Sequence, residues 1–65
     1  MLLRRRLVRA HFPDPQPSIE GVYAGRWGGH YRILNAKLVQ AEDKTLSLEG
    51  ETFIPCERVL FLQRL

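Results

Sequence analysis

The residues able to carry out chemistry are few and widely spaced. The chain has two histidines, His11 and His30, and one cysteine, Cys56. Metal ligation or nucleophilic catalysis needs such groups beside carboxylates or one another at ligand spacing, and none of the three has such companions in sequence. The glycine-containing run 25–29 lacks the G-x-x-x-x-G-K pattern of a phosphate loop and leads into a strand rather than a helix. We therefore predict a non-enzymatic protein with no catalytic residue, metal or cofactor.

Positive charge is concentrated at the start of the chain. Of ten basic residues, four arginines lie within residues 1–12, which contain no acid, whereas residues 13–65 hold the other six against seven acidic residues. Leu3 and Leu7 are spaced i, i+4, which places them on one face of a helix of about three turns. An extended arm is the alternative conformation for this segment. We predict that residues 1–12 are a basic amphipathic arm that orders on an acidic protein surface or on nucleic acid phosphates; the alternative is a frayed, solvated N-terminus.

A proline-rich stretch follows the arm. Pro13, Pro15 and Pro17 alternate with other residues, a pattern that excludes helix and favours the polyproline conformation. Residues 13–17 are predicted to be a semi-rigid spacer of roughly 15 Å.

Short strands separated by turn residues fill the remainder of the chain. We predict strands over residues 18–26, 30–39, 45–49, 52–54 and 59–63, with a tight hairpin turn at Gly28–Gly29. The apolar alternation of the second strand changes phase, which predicts either a bulge near Asn35 or burial of both faces of the strand. Because Pro55 has no amide hydrogen for a ladder, residues 55–58 are predicted to form a single 3₁₀ turn. The prediction is an all-β, five-stranded small barrel over residues 18–65.

The last predicted strand is apolar on both faces. Val59 and Phe61 are expected to point one way and Leu60 and Leu62 the other. In a small isolated barrel one of these faces would meet water, so we predict that a partner or a second subunit covers it. Trp27, beside Arg26, is either a binding anchor or a cap on the open end of the barrel.

Two resemblances extend this interpretation. The strand, Ile54-Pro55 bend, single turn and apolar closing strand of residues 51–62 resemble the end of an SH3-like barrel. The strand order, with Gly21 in the first strand and a long bent second strand, is similar to the Sm-like RNA-binding barrels, although residues 54–58 lack that family's Arg/Lys-Gly-Asp/Asn signature. This second resemblance implies nucleic acid binding through the barrel.

The chain as a whole resembles small proteins of tailed bacteriophages of actinobacteria. The resemblance lies in the arginine-rich start, the proline-rich spacer and the segment Pro17-Ser-Ile-Glu-Gly-Val-Tyr-Ala-Gly-Arg26. It implies a virion component whose arm clasps neighbouring subunits.

Length and composition set further bounds. A chain of 65 residues buries a small core, and its single cysteine cannot form an internal disulfide, so oligomerisation or docking is an expected source of stability. There is no apolar run long enough to span a membrane, and no apolar segment follows the first arginines as it would in a secretory signal. We expect a location in the virion or the host cytoplasm.

The leading hypothesis is a structural protein that docks onto a larger assembly, a minor or stabilising capsid protein of a bacteriophage. The alternative is a nucleic-acid-binding Sm-like or SH3-like barrel that uses the arginine arm. The predicted partner-binding residues are Leu2, Leu3, Arg4, Arg5, Arg6, Leu7, Val8, Arg9, Phe12, Trp27, Leu60 and Leu62.

Overall fold

The computed structural model of the protein describes residues 6–41 and 43–65, and in this part of the chain it is built from β-strands. The elements are β1 (Arg6–His11), β2 (Ser18–Trp27), β3 (His30–Ala41), β4 (Lys44–Ser47), β5 (Glu51–Pro55), a 3₁₀ turn (Cys56–Arg58) and β6 (Phe61–Arg64). The all-β prediction is confirmed, as is the 3₁₀ turn after Pro55. No helix in the described ranges is long and apolar enough to cross a membrane.

All strand pairs are antiparallel and form one sheet in the order β4-β3-β2-β1-β6. Strand β3 is the organising element, because β5 pairs with its first half and β4 with its second half. Within the described residues, β6 at one end of this order is not hydrogen-bonded to β4 or β5 at the other. Over the residues that the structure describes, the sheet is therefore open and has six strands rather than the predicted five.

The strand that the sequence analysis did not predict is β1, which occupies part of the predicted N-terminal arm. Residues 6–11 lie in the sheet between β2 and β6, with Val8 and Ala10 buried and Arg9 between them on the other face. The helical alternative for the arm is wrong over this range, because the apolar residues follow the period of two that a strand requires. Residues 1–5, the remainder of the predicted arm, lie outside the described part of the chain.

The predicted spacer is a compact turn. The Gln16 amide donates to the Pro13 carbonyl at 3.0 Å, and the Asp14–Pro15 peptide is cis. Since β1 and β2 pair with each other antiparallel, the segment between them reverses the chain instead of extending it. The prediction of an extended polyproline spacer is wrong for this reason.

Two bulges interrupt the pairing of β2 with β3. One extra residue lies on β2 between Tyr23 and Arg26, where Gly25 has a φ of +118°. The other lies on β3 opposite the Glu20–Val22 step, where Asn35 has a φ of +51°. The predicted bulge at Asn35 is confirmed. A bulge bends its strand and increases the local twist, so the long hairpin curves around its inner face.

The buried core lies on the concave face of this hairpin and is small. It consists of Val8, Ala10, Ile33, Ala36 and Ile54, and half-buried apolar residues from β2, β3, β6 and the segments between strands pack around it. Gly21 allows the close approach of β2 and β3 at the centre, because a Cβ placed there would lie 2.5 Å from Ile33 Cγ2. No polar side chain is buried among the described residues.

The last strand departs from the predicted alternation. Strand β6 begins only at Phe61, and Leu60 lies in a bend after the 3₁₀ turn. As a result Val59 and Leu62 both pack against the core, whereas Leu60 and Phe61 are both exposed. The predicted pairing of faces, Val59 with Phe61 and Leu60 with Leu62, is wrong because the bend breaks the period of two between them.

Candidate docking surface

The most exposed aromatic side chain in the described residues is Trp27, at the tip of the β2–β3 hairpin. The turn consists of Gly28 and Gly29, whose φ angles of +55° and +76° are those of a two-residue turn that glycine adopts without strain. Trp27 pairs directly with His30 across this turn. The His30 ring is held in place because its Nδ1–H donates to the Gly28 carbonyl at 2.9 Å. The tip therefore presents Trp27 from a defined backbone, with 72% of the residue exposed.

Phe53 of β5 lies against Trp27. The two ring centroids are 6.1 Å apart with planes tilted by 50°, within the range of favourable aromatic pairs. Phe53 reaches this position because β5 pairs with β3 in the register that places it opposite Arg32. Its neighbour Ile54 points to the opposite face and is buried in the core. The aromatic pair thus joins two strands that are distant in sequence.

Two open concavities flank the aromatic pair. One has a volume of about 310 Å³ and is lined by Trp27, Gly28, His30 and Phe53. The other has a volume of about 410 Å³ and is lined by Ala24, Gly25, Arg26, Trp27, Arg32, Glu51 and Phe53. We call Arg26, Trp27, His30, Arg32, Glu51 and Phe53 the Trp27–Phe53 surface.

The charged groups at this surface differ in their pairing. Arg32 forms a salt bridge with Glu51 of the neighbouring strand, so its charge is compensated locally. Arg26 has no ion-pair partner within residues 6–41 and 43–65. The surface therefore combines an apolar centre with a locally compensated ion pair, a composition typical of protein-binding sites, whereas Arg26 pairs with Tyr31 and its guanidinium lies toward the inner face.

Tyr31 lies on the inner face and does not belong to this surface. Its ring packs against the core and lies 6.1 Å from the ring of Tyr23. Burial and the nearby Cys56 thiol raise the pKa of Tyr31 above its ordinary value, while the Arg26 guanidinium opposes the shift. Tyr31 is consequently neutral at physiological pH and supports the strand that carries His30 and Arg32.

The predicted partner-binding residues fall into three groups. Leu2, Leu3, Arg4 and Arg5 lie outside the described residues. Four others are engaged by the fold itself: Val8 is in the core, Arg9 forms a 2.8 Å salt bridge with Glu20, and Phe12 and Leu62 pack against the core. Those that are exposed are Arg6, Leu7, Trp27 and Leu60.

The structure does not bring the exposed residues together, and it adds one that the sequence analysis missed. Leu60 precedes β6 at one end of the strand order, whereas Trp27 lies at the hairpin tip beside β5. Phe53 was not predicted as a site residue. The alternation of Thr52, Phe53 and Ile54 could have indicated that Phe53 points outward once Ile54 is assigned to the core.

The residues with potential chemical reactivity remain dispersed. In the described ranges, no three His, Cys, Asp or Glu side chains lie close enough to hold a metal ion. Cys56 is half-buried at the 3₁₀ turn. No family model, curated protein or solved structure matches the chain.

Proposed function

We propose that this protein is a non-enzymatic structural protein that docks onto protein subunits of a larger assembly through the Trp27–Phe53 surface. The observation that carries the proposal is the exposure of Trp27 beside Phe53 at the tip of the β2–β3 hairpin. The assembly that we propose is a bacteriophage head, in which the protein is a minor or stabilising component. That proposal rests on the resemblance of the whole chain to small virion proteins.

Exposed aromatic side chains of this kind are effective binding groups. Tryptophan and arginine dominate binding energies at protein interfaces, and their contribution is largest where surrounding contacts exclude water. Trp27 and Phe53 are already held in contact, so a partner that covers them orders few additional side-chain torsions.

The proposal includes the N-terminal segment as a second point of attachment. Leu2, Leu3, Arg4 and Arg5 would enter a groove of the partner, with Arg6 and Leu7 continuing the contact from the exposed start of β1. The proposed contact does not include Val8, Arg9, Phe12 or Leu62, because their contacts are internal. We also propose that the open sheet is a variant of the SH3-like small barrel.

A second candidate function is binding of single-stranded nucleic acid at the same surface. Aromatic rings beside arginines form platforms on which bases stack, and Trp27 and Phe53 lie beside Arg26 and Arg32. We favour a protein partner because Glu51 compensates Arg32 and would repel the adjacent phosphates. Residues 13–65 also carry more acidic than basic side chains.

Site-specific photo-crosslinking in the cells that make the protein tests the proposal. A photoreactive phenylalanine analogue replaces Phe53 in one variant and the exposed Thr45 of β4 in a matched control. We expect a discrete protein adduct from position 53, sedimenting with particles the size of a phage head, and little adduct from position 45. With the crosslinked protein purified, Trp27→Ser should weaken its binding by at least about tenfold.

Different results would contradict the proposal in different ways. Equal adducts from positions 53 and 45 would exclude the Trp27–Phe53 surface as the docking site. Adducts with nucleic acid, and binding that falls log-linearly with salt, would favour the second candidate function instead. A protein adduct that sediments as a small complex would leave docking in place and overturn the assignment to a phage head.

A further inference from the structure

The outer edge of β6 is an unpaired sheet edge in the described part of the chain. Strand β6 pairs with β1 only. The Leu65 amide donates to the Leu7 carbonyl at 2.9 Å, which makes these two residues a hydrogen-bonded pair. Because hydrogen-bonded and non-hydrogen-bonded pairs alternate in an antiparallel ladder, Gln63 also bonds toward β1. The amides and carbonyls of Leu62 and Arg64 then point away from β1, toward the open edge.

This edge is less protected than the other edges of the sheet. Strand β5 ends in Pro55 and β4 begins with Lys44, residue types that discourage pairing with another strand. Strand β6 contains neither proline nor lysine. It is instead flanked by exposed apolar side chains, since Leu60 is exposed and Phe61 and Leu65 are 56% and 49% exposed. Apart from its short length and the charge of Arg64, β6 therefore has none of the features that protect a sheet edge from strand pairing.

We propose that two copies of the chain pair antiparallel through their β6 edges, around a two-fold axis at Gln63. A two-fold pairing is self-complementary, so one strand serves as both surfaces. In the resulting dimer the two sheets would continue into each other across the β6 strands. The inference goes beyond the proposed docking function and does not depend on it, because the Trp27–Phe53 surface lies away from this edge.

Only Leu62 and Arg64 direct their backbone amides and carbonyls toward the open edge, so the hydrogen-bonded pairs between the two copies can have three registers. Leu62 pairs with Leu62, Leu62 pairs with Arg64, or Arg64 pairs with Arg64. Pairing Arg64 with Arg64 places like charges directly opposite each other, which is destabilising. Pairing Leu62 with Leu62 places Leu65 opposite a residue before β6, beyond the bend at position 60.

Pairing Leu62 with Arg64 of the second copy avoids both problems. Gln63 then faces Gln63 of the second copy, and Phe61 faces Leu65 of the second copy on the outer face. Phe61 and Leu65 thereby each gain an apolar neighbour, and the two-fold axis generates this Phe61–Leu65 contact twice in the dimer. Each hydrogen-bonded pair exchanges two backbone bonds, so the two Leu62–Arg64 pairs contribute about four.

Phe61 is already positioned for this contact. Its ring stacks on His11 of β1, with centroids 4.5 Å apart and planes 19° from parallel. His11 is in turn hydrogen-bonded to the Gln63 side chain at 2.8 Å. Little side-chain freedom would therefore be lost when a second copy covers the Phe61 ring.

Light scattering of the full chain over a range of concentrations tests the pairing. We expect a reversible dimer that persists at high salt, because backbone hydrogen bonds and apolar contacts hold it. The double variant Phe61→Ser, Leu65→Ser should dissociate at a concentration at least about tenfold higher. Leu46→Ser is the matched control, since Leu46 is 54% exposed but lies on β4. It should leave the dimer unchanged, as should Trp27→Ser.

Disulfide trapping tests the register. In a chain carrying Cys56→Ser, Gln63→Cys should form a disulfide-linked dimer under mild oxidation, because opposed non-hydrogen-bonded residues place their Cα atoms about 4.5 Å apart. Arg64→Cys, the neighbouring position, should cross-link much less. A monomer at all concentrations would overturn the proposal, as would a dimer weakened by Leu46→Ser and not by the Phe61, Leu65 variant. Faster cross-linking through Arg64→Cys would overturn the register.

Discussion

Large apolar side chains lie both at the centre of the sheet and at the tip of the β2–β3 hairpin, but those at the centre are buried and those at the tip are exposed. At the centre, Ile33 is 1% exposed because β2, β3 and β5 all contribute neighbours. At the tip, Trp27 has one large apolar neighbour, Phe53, and both meet water. The difference shows that exposure here depends on how many strands surround a position and not on the hydrophobicity of its residue. Apolar side chains left at the periphery of so small a sheet are available for binding.

The largest expected effect separates buried from exposed aliphatic residues. Ile33→Ala should lower the free energy of unfolding by about 2–5 kcal/mol, because it leaves a cavity among neighbours that cannot collapse. Leu46→Ala, which removes a similar side chain from an exposed position, should change it by less than about 0.5 kcal/mol. Urea denaturation followed by circular dichroism measures both. Equal losses would contradict the division between core and periphery.

A somewhat smaller effect is expected from Gly21→Ala, which tests how tightly the centre is packed. The new Cβ would meet Ile33 Cγ2 at 2.5 Å and the Leu34 carbonyl oxygen at 2.8 Å, so strands β2 and β3 must separate. We expect a loss of about 1–3 kcal/mol in the same unfolding measurement. In an Ile33→Ala background the loss should shrink, because Cγ2 is then absent. Additive losses would contradict the contact.

The smallest effect concerns the Arg9–Glu20 salt bridge, which joins β1 to β2 on the outer face at 2.8 Å. Both side chains are partly solvated, so a double-mutant cycle with Arg9→Met and Glu20→Gln should yield a coupling of about 0.2–1 kcal/mol that falls with salt. Arg26→Met, at the tip, should leave stability unchanged. A coupling above this range would mean that the outer face contributes to the fold as the centre does.

Local patterns predicted those parts of the fold that depend on neighbouring residues. Gly28–Gly29 predicts the hairpin turn, Pro55 predicts the 3₁₀ turn, and the change of phase predicts the bulge at Asn35. Strand β1 was missed because a short segment of alternating leucine, valine and arginine is compatible with both a helix and a strand. Only its pairing with β2 and β6 decides between them.

Of the two aromatic residues at the candidate site, the sequence analysis named Trp27 and missed Phe53. Trp27 is recognisable from its place beside a glycine turn, whereas its contact with Phe53 depends on the register of β5 against β3. That register is a long-range property which no local pattern contains. The same is true of Arg9, whose partner Glu20 is set by the β1–β2 register, and of the open edge of β6.

The two bulges of the long hairpin have opposite effects on its alignment. Gly25 adds one residue to β2 and Asn35 adds one to β3, so the pairing shifts by one position between them and is restored beyond them. Deleting either residue alone would shift the β2–β3 register by one residue at one end of the hairpin. The side chains of one strand there would then point to the opposite face of the sheet. A chain lacking both would keep every inward residue inward and lose only the bends. Changes in the length of these strands are therefore tolerated only as compensating pairs, and the curvature of the sheet can vary without altering which residues form its core.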